Sequence, residues 1–326
     1  MLLNVVAVLI GLVVLVWSAD RFVDSAAVLA KYLGMPALLI GILVMGFGTS
    51  APEMVVSVLA ATSGAPALAL GNAYGSNITN IALILGLTAL LSPIVVQSQV
   101  VRRELPVLLA VSCLALWQVS DGQLTRLEGV VLLLVLAGLM AASIWSAYRQ
   151  PTPNDAYVEG VSEVLDDQPI MTRGRAVVGV LVGLTILVLS SRLLVWGAVG
   201  LAESFGVSEL IIGLTIVAIG TSLPELVSSI MAVRKGEHDM ALGNIIGSNI
   251  FNTLAVVGLA ASIHPMQVAP ELLSRDMAAM LGLTVLVFLM SFSLKRGQQG
   301  QISRLEGGLL LSGFVAYTGY LIATAS

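Results

Sequence analysis

Long apolar runs constrain this chain more than any other feature of its sequence. Runs of about 20 residues, enough to cross a bilayer core as a helix, recur between short charged or Gly/Pro-containing segments. Of the 326 residues, 57% are hydrophobic and 10% charged, against about 25% charged in soluble domains. An all-α membrane protein in contact with lipid is therefore predicted. The ten predicted spans are 2–19, 36–62, 67–91, 104–119, 128–147, 175–199, 208–233, 240–262, 276–294 and 305–324.

Lys and Arg are distributed unevenly between the two predicted faces. Twelve of the 15 lie on the face that holds Arg21 and the 148–174 connection, and only Arg126, Arg192 and Arg275 lie on the other. Because positive residues stay cytoplasmic, we predict a multi-pass protein of the plasma (inner) membrane with both termini extracytoplasmic. The first span lacks the basic start and the cleavage site of a signal peptide, so we interpret it as a helix that remains.

The sequence repeats itself at an offset of 172 residues. Gly-Thr-Ser-Ala-Pro-Glu at 48–53 returns as Gly-Thr-Ser-Leu-Pro-Glu at 220–225. Gly-Ser-Asn-Ile-Thr-Asn at 75–80 returns as Gly-Ser-Asn-Ile-Phe-Asn at 247–252. Each copy has five predicted spans, an odd number, so the second copy must cross the membrane in the opposite sense. Inverted repeats of this kind are typical of secondary transporters.

The predicted organisation follows from the repeat. Residues 1–147 form a first five-helix repeat, 148–174 a cytoplasmic linker, and 175–326 a second, inverted repeat. The linker is acidic, but it lacks the ligand spacing of a calcium-binding loop, so we interpret it as a solvated connection.

The repeated Gly-Thr-Ser-x-Pro-Glu motif is predicted to break a helix inside the membrane. Proline removes a backbone donor and glycine loosens the same stretch. We expect carbonyls near Gly46, Thr49, Ala218 and Thr221 to lose their helical partners. In hydrocarbon such carbonyls are tolerated only where they line a cavity or bind something.

Glu53 and Glu225 follow these breaks and are the acidic residues placed well inside spans. An intramembrane carboxylate costs at least about 2.5–3.5 kcal/mol on insertion scales and indicates function. No Lys or Arg is predicted at the same depth, so a bound cation is the simplest counter-charge. Neighbouring Ser, Thr and Asn side chains offer hard oxygen ligands, which suit Na⁺, K⁺, Ca²⁺ or Mg²⁺. Two carboxylates can neutralise one divalent ion, or hold monovalent ions or protons.

Other features of the sequence have simpler interpretations. Gly71/Gly75 and Gly243/Gly247 are spaced for helix packing, and Asn77 and Asn249 are interpreted as structural. A serine or zinc enzyme is not expected, since both histidines fall at span ends or loops and no H-E-x-x-H motif occurs. Lone Cys113 offers no thiolate site, the lack of a basic patch excludes a nucleic-acid partner, and no cofactor is predicted. A channel stays open as a remote alternative.

The doubled motifs resemble the two alpha-repeats of the calcium/cation antiporter superfamily, and the chain is most similar to bacterial inner-membrane sodium/calcium exchanger homologues. The resemblance implies ten transmembrane helices and exchange of Ca²⁺ for Na⁺ by alternating access, with the first and sixth helices sliding against the site. A proton-coupled Ca²⁺ antiporter remains the alternative.

The resemblance also implies a ligand set. Glu53 and Glu225 would bridge Ca²⁺ and share the site with Na⁺, and Asn80 and Asn252 would lie at its centre. Some family members carry Asp at the position of Asn252, which leaves the ion dependence of this chain open. The other implied ligands are the hydroxyls of Ser50, Ser76, Ser222 and Ser248 and the backbone carbonyls of Thr49, Thr221, Gly46 and Ala218.

Overall fold

The computed structural model describes residues 1–64, 66–149, 171–205, 218–292 and 300–325, which are helical apart from four short strands. The helices are α1 (Leu2–Leu33), α2 (Ala37–Thr49), α3 (Ala51–Thr62), α4 (Pro66–Leu91), α5 (Leu105–Val119), α6 (Arg126–Arg149), α7 (Arg173–Ser204), α8 (Ala218–Thr221), α9 (Leu223–Arg234), α10 (His238–Ile263), α11 (Leu272–Met290) and α12 (Arg304–Ala325). The strands are β1 (Ile94–Val96), β2 (Gln123–Leu124), β3 (Met266–Gln267) and β4 (Gly300–Ile302). π-Helical turns occur at Gly41–Gly46, Thr79–Leu85, Val100–Glu104, Asn252–Val256 and Leu272–Met277.

The described helices fit a multi-pass membrane protein. Among these residues, seven helices are long and apolar enough to cross a membrane, and the bent pair α2–α3 makes an eighth. The predicted span 208–233 begins outside the described part and continues as α8 and α9. Only the two ends of the predicted linker 148–174 fall within the described ranges.

The first helix is longer than the predicted span 2–19. Because no proline occurs before Gly34, which takes φ 60°, α1 continues to Leu33 through a charged segment. A helix of 32 residues is about 48 Å long and exceeds the hydrocarbon core of about 30 Å. Its charged end therefore extends beyond the apolar layer.

Helices α1 and α7 form an antiparallel pair that depends on small residues. A Cβ added to Gly11 would lie 2.9 Å from the Leu194 Cβ, and one added to Gly183 would lie 3.1 Å from the Phe22 Cα. Glycine therefore lets the two backbones approach closely. In both helices 28% of the apolar window is buried, so most of this pair faces outward.

Helices α4 and α10 occupy the centre, with 72% and 89% of their apolar windows buried. The predicted packing role holds for Gly243 and Gly247, since added Cβ atoms would lie 2.4 Å from the Leu38 carbonyl oxygen and 2.8 Å from the Ile42 Cα. A Cβ added to Gly71 or to Gly75 would meet no described atom within 4 Å. The repeat equivalents of residues 41 and 42 are positions 213 and 214, outside the described residues.

Loops predicted on the same face contact one another. Strand β1 pairs with β4, and β2 pairs with β3, both antiparallel. The Gln97 amide donates to the Asp239 carboxylate at 2.6 Å, and Lys235 forms ion pairs with Asp20 and Asp24 at 2.7 and 2.6 Å. These contacts connect the loop after β1 to the start of α10, and the end of α9 to α1.

Candidate cation-binding site

Both copies of the repeated motif break a helix, as predicted. Helix α2 ends at Thr49, Ser50 takes φ −82° and ψ 2°, and α3 continues at an angle of 42°. In the second copy Ser222 takes φ −91° and ψ 8° between α8 and α9. Each proline is the second residue of the new helix, a position whose N–H would have no acceptor within that helix.

The prediction that the Gly46 carbonyl loses its helical partner is wrong. That carbonyl accepts a hydrogen bond from the Ser50 N–H at 3.2 Å. A proline deprives the residue four positions earlier, so the affected carbonyls are those of Gly48 and Gly220. The Gly220 carbonyl instead accepts a hydrogen bond from the Ser191 hydroxyl of α7 at 2.9 Å.

The two glutamates are fully buried, and their surroundings differ. The Glu225 Oε1 accepts hydrogen bonds from Ser50 Oγ at 3.2 Å and from Ser248 Oγ at 3.4 Å. Neither carboxylate oxygen of Glu53 has a hydrogen-bond partner in the described part of the chain, and the same holds for Glu225 Oε2. Since Ser50 belongs to the first repeat and Glu225 to the second, the motifs meet in one site.

Thr49 connects α2 to α10 beside the glutamates. Its hydroxyl lies 2.9 Å from the Met45 carbonyl oxygen, 3.1 Å from Asn244 Oδ1 and 3.4 Å from Ser248 Oγ. The Ser248 hydroxyl is also 3.5 Å from the Gly46 carbonyl oxygen. Four predicted site residues therefore lie together with Glu225: Gly46, Thr49, Ser50 and Ser248.

The remaining predicted residues lie in α4, α8 and α10 and at the break before α9. Ser76, Ser222, Asn80 and Asn252 are buried, Thr221 is half-buried at the end of α8, and Ala218 is its first residue. Asn80 Nδ2 donates to Asn249 Oδ1 at 3.0 Å. Neither amide atom of Asn252 is hydrogen-bonded within the described ranges.

Sequence reasoning missed a second layer that holds the glutamate backbones. Asn72 Nδ2 donates to the Glu53 carbonyl at 3.3 Å and to Ser57 Oγ at 3.1 Å. Its repeat equivalent, Asn244, donates to the Glu225 carbonyl at 3.2 Å and to Ser229 Oγ at 2.8 Å. Ala-Leu-Gly-Asn at 69–72 returns at 241–244, so the 172-residue offset was the signal that could have identified both asparagines.

The ion pairs found among the described residues are Arg103–Glu104, Lys235–Asp20, Lys235–Asp24 and Arg275–Asp276, and none includes either glutamate. No group of three or more His, Cys, Asp or Glu residues able to hold a metal occurs in the same ranges. A cation held here would therefore be bound by two carboxylates and by uncharged hydroxyl, amide and carbonyl oxygens. Such a ligand set suits hard cations.

Comparison with known proteins agrees with this chemistry. The sodium/calcium exchanger protein family matches residues 3–145 and 175–323. Putative antiporter CaxA of Alkalimonas amylolytica is 44% identical over 99% of this chain and 100% of its own length. Sodium/calcium exchanger MaX1 of Methanosarcina acetivorans is 31% identical over 96% of this chain and 97% of its own.

A solved structure of the sodium-calcium exchanger NCX_Mj is similar over 100% of this chain and 99% of its own, with a TM-score of 0.81 and 30% identity. The two matched segments cover most of the sequence, and the relatives are similar along their whole length. The chain therefore belongs to the sodium/calcium exchanger family, whose members are membrane antiporters of small cations and not enzymes.

Proposed function

We propose that this protein exchanges Ca²⁺ for Na⁺ by alternating access at a central site around Glu53 and Glu225. The observation that carries the proposal is a pair of fully buried carboxylates that no Lys or Arg pairs with in the described part of the chain. A buried charge needs compensation, and an intramembrane carboxylate defaults to a functional role with a partner. A transported cation supplies that compensation.

The proposed ligand set is the predicted one. The hydroxyls of Ser50 and Ser248 lie within hydrogen-bond distance of Glu225 Oε1. With a cation bound, each O–H would rotate away from the carboxylate, and the hydroxyl oxygens would bind the cation through their lone pairs. The Gly46 carbonyl stays in the set because the Ser50 N–H uses one of its two lone pairs, and its oxygen lies 3.5 Å from the Ser248 hydroxyl, itself a proposed ligand. The other proposed ligands are Thr49, Thr221, Ser76, Ser222, Asn80, Asn252 and Ala218.

The proposed architecture has ten transmembrane helices in two inverted five-helix repeats, with both termini extracytoplasmic in the inner membrane. Two separate family matches, one on each side of the predicted linker, support it. Equivalent contacts of Asn72 and Asn244 with the glutamate backbones also support it. Inner membrane protein YrbG of Escherichia coli, 41% identical over 98% of this chain and 97% of its own length, supports the location.

The pair α1–α7 is the proposed moving part. Helix α7 contacts both helix breaks: Leu184 would lie 2.7 Å from a Cβ on Gly48, and Val195 is the neighbour of Gly220. A shift of this outward-facing pair would therefore act directly on the backbone beside each glutamate. Because its interface is formed by small residues, the pair can slide as one unit over the buried centre.

Ca²⁺ uptake by proteoliposomes tests the coupling ion. The purified protein is reconstituted with internal Na⁺, and uptake of labelled Ca²⁺ is measured with an outward Na⁺ gradient and no pH gradient. Uptake that depends on the Na⁺ gradient supports the proposal. Uptake driven only by a pH gradient would establish the proton-coupled alternative, and Ca²⁺ flux without a counter-ion would establish a channel.

A further inference from the structure

Four asparagines lie in two repeat-related pairs at the centre of the molecule. Asn77 corresponds to Asn249, and Asn80 to Asn252, each at the offset of 172 residues. All four are at most 1% exposed. The repeat thus relates the contact Asn80–Asn249 to a contact Asn252–Asn77.

Only the first of these two contacts is formed. Asn80 Nδ2 donates to Asn249 Oδ1 at 3.0 Å. Asn77 Nδ2 instead donates to Thr253 Oγ1 at 2.8 Å and to Met280 Sδ at 3.4 Å. Asn77 Oδ1 and both amide atoms of Asn252 have no hydrogen-bond partner among the residues described, although a buried amide without one is unfavourable.

The two copies of the repeat also differ in sequence beside these pairs. Thr253, which holds Asn77, corresponds to Ile81 in the first repeat, and isoleucine has no hydroxyl. Asn249 therefore lacks the alternative acceptor that Asn77 has. The hydrogen bond to Asn249 also fixes the Asn80 amide through its nitrogen, which leaves its oxygen as the free end, the orientation that a cation ligand needs.

The two contacts can be exchanged by a small movement. Residues 252 and 253 are consecutive, and a π-helical turn begins at Asn252, as another begins at Thr79. A π turn contains one extra residue, so a shift of that turn by one position rotates neighbouring side chains by about 100°. Such a rotation would carry Thr253 away from Asn77 and bring Asn252 towards it.

We propose that Asn77 and Asn249 are positioning residues, and that the pairs Asn80–Asn249 and Asn252–Asn77 form alternately as the site opens to opposite faces. This inference rests on the proposed alternating-access function, in which inverted repeats exchange roles between the two states. In each state one central asparagine is oriented by its partner and the other is released.

Spin-label distances in the ion-free protein test this inference. In a Cys113→Ser background, label pairs at Ser204 with Gln123 and at Arg173 with Gln301 report on the two ends of α7; all four sites are exposed. Each pair should show two distances, and the relative areas of the two distance peaks give the populations of the two states.

The variants have opposite expected effects. Asn249→Ala and Thr253→Val each remove a hydrogen bond of the state described here, and each should shift the populations away from it by about fivefold, the effect of one ordinary hydrogen bond. Asn252→Ala removes only the contact of the other state and should shift them about fivefold the opposite way. Asn77→Ala loses a bond in both states and should change the ratio little.

Populations that do not move, or that move in the same direction in Asn249→Ala and Asn252→Ala, would overturn the inference. If Asn249→Ala does not fold, Thr253→Val tests the same direction. Ca²⁺ binding and Na⁺-driven exchange by the unsubstituted protein are measured in parallel. Exchange without opposite shifts means that the asparagine inference alone fails, whereas opposite shifts without Ca²⁺ binding or exchange mean that the transport proposal fails.

Discussion

The Ser191 hydroxyl is expected to stabilise the helix break of the second repeat. Its Oγ donates to the Gly220 carbonyl at 2.9 Å, and that carbonyl lacks its usual donor because the residue four positions later is Pro224. Leaving a buried acceptor unsatisfied costs about 1–3 kcal/mol. We therefore expect Ser191→Ala to lower the free energy of unfolding by about 2 kcal/mol.

The adjacent serine provides a matched control. Ser190 is buried to the same extent, 4% exposed, as Ser191, but its hydroxyl donates to the Leu187 carbonyl three residues earlier in the same helix. That carbonyl keeps its backbone donor from residue 191, so Ser190→Ala should cost no more than about 0.5 kcal/mol.

The free energy of unfolding is measured in mixed detergent micelles for both alanine variants and for Ser191→Thr, which keeps a hydroxyl donor. Since Gly220 lies near Glu225 at the same break, Ser191→Ala should also change the rate of Ca²⁺ exchange, and Ser190→Ala should not. Equal losses of stability in the two alanine variants would refute the reasoning, because they would show that the contact between α7 and the break contributes nothing of its own.

Three further predictions concern the site and its packing. Glu53→Gln and Glu225→Gln should each abolish Ca²⁺ exchange, at least about 100-fold if one charged ligand is worth about 3 kcal/mol, with normal membrane insertion; retained exchange in vesicles would refute the central site. Asn252→Asp adds a carboxylate and should alter ion selectivity in flux assays more than it alters expression, and an unchanged ion dependence would show that this position is not a ligand. Gly243→Ala should destabilise the protein by about 1–3 kcal/mol through overpacking, since its Cβ would lie 2.4 Å from a backbone oxygen. Gly138→Ala, which meets no described atom within 4 Å, should be neutral or stabilising, and unfolding measurements compare the two.

Local chemistry explains what could be predicted from the sequence. The apolar runs specify membrane helices, because only a helix satisfies its own backbone in lipid. The breaks at Ser50 and Ser222 follow from proline two residues later, which is a property of the chain itself. The proposed role of Glu53 and Glu225 follows from the cost of a carboxylate among apolar residues.

Predictions that needed the detailed path of the backbone were less accurate. The Gly46 carbonyl was expected to be free, but the π-helical turn at Gly41–Gly46 is followed by regular geometry, and the Ser50 N–H reaches it. The end of the first span was placed where charges begin, but charges do not end a helix, and α1 continues to Gly34.

The helices, their breaks and the repeat that relates the two glutamates can be inferred from the amino-acid order alone, since each depends on residues close together in the chain or on identity at a constant offset. Which polar groups meet depends on the packing of the helices: Ser191 contacts Gly220, Thr49 contacts Asn244, and Asn80 contacts Asn249, at separations of 29, 195 and 169 residues. A buried polar group needs a partner, but any of several nearby groups can serve. The packing of α2, α4, α7 and α10 selects among them.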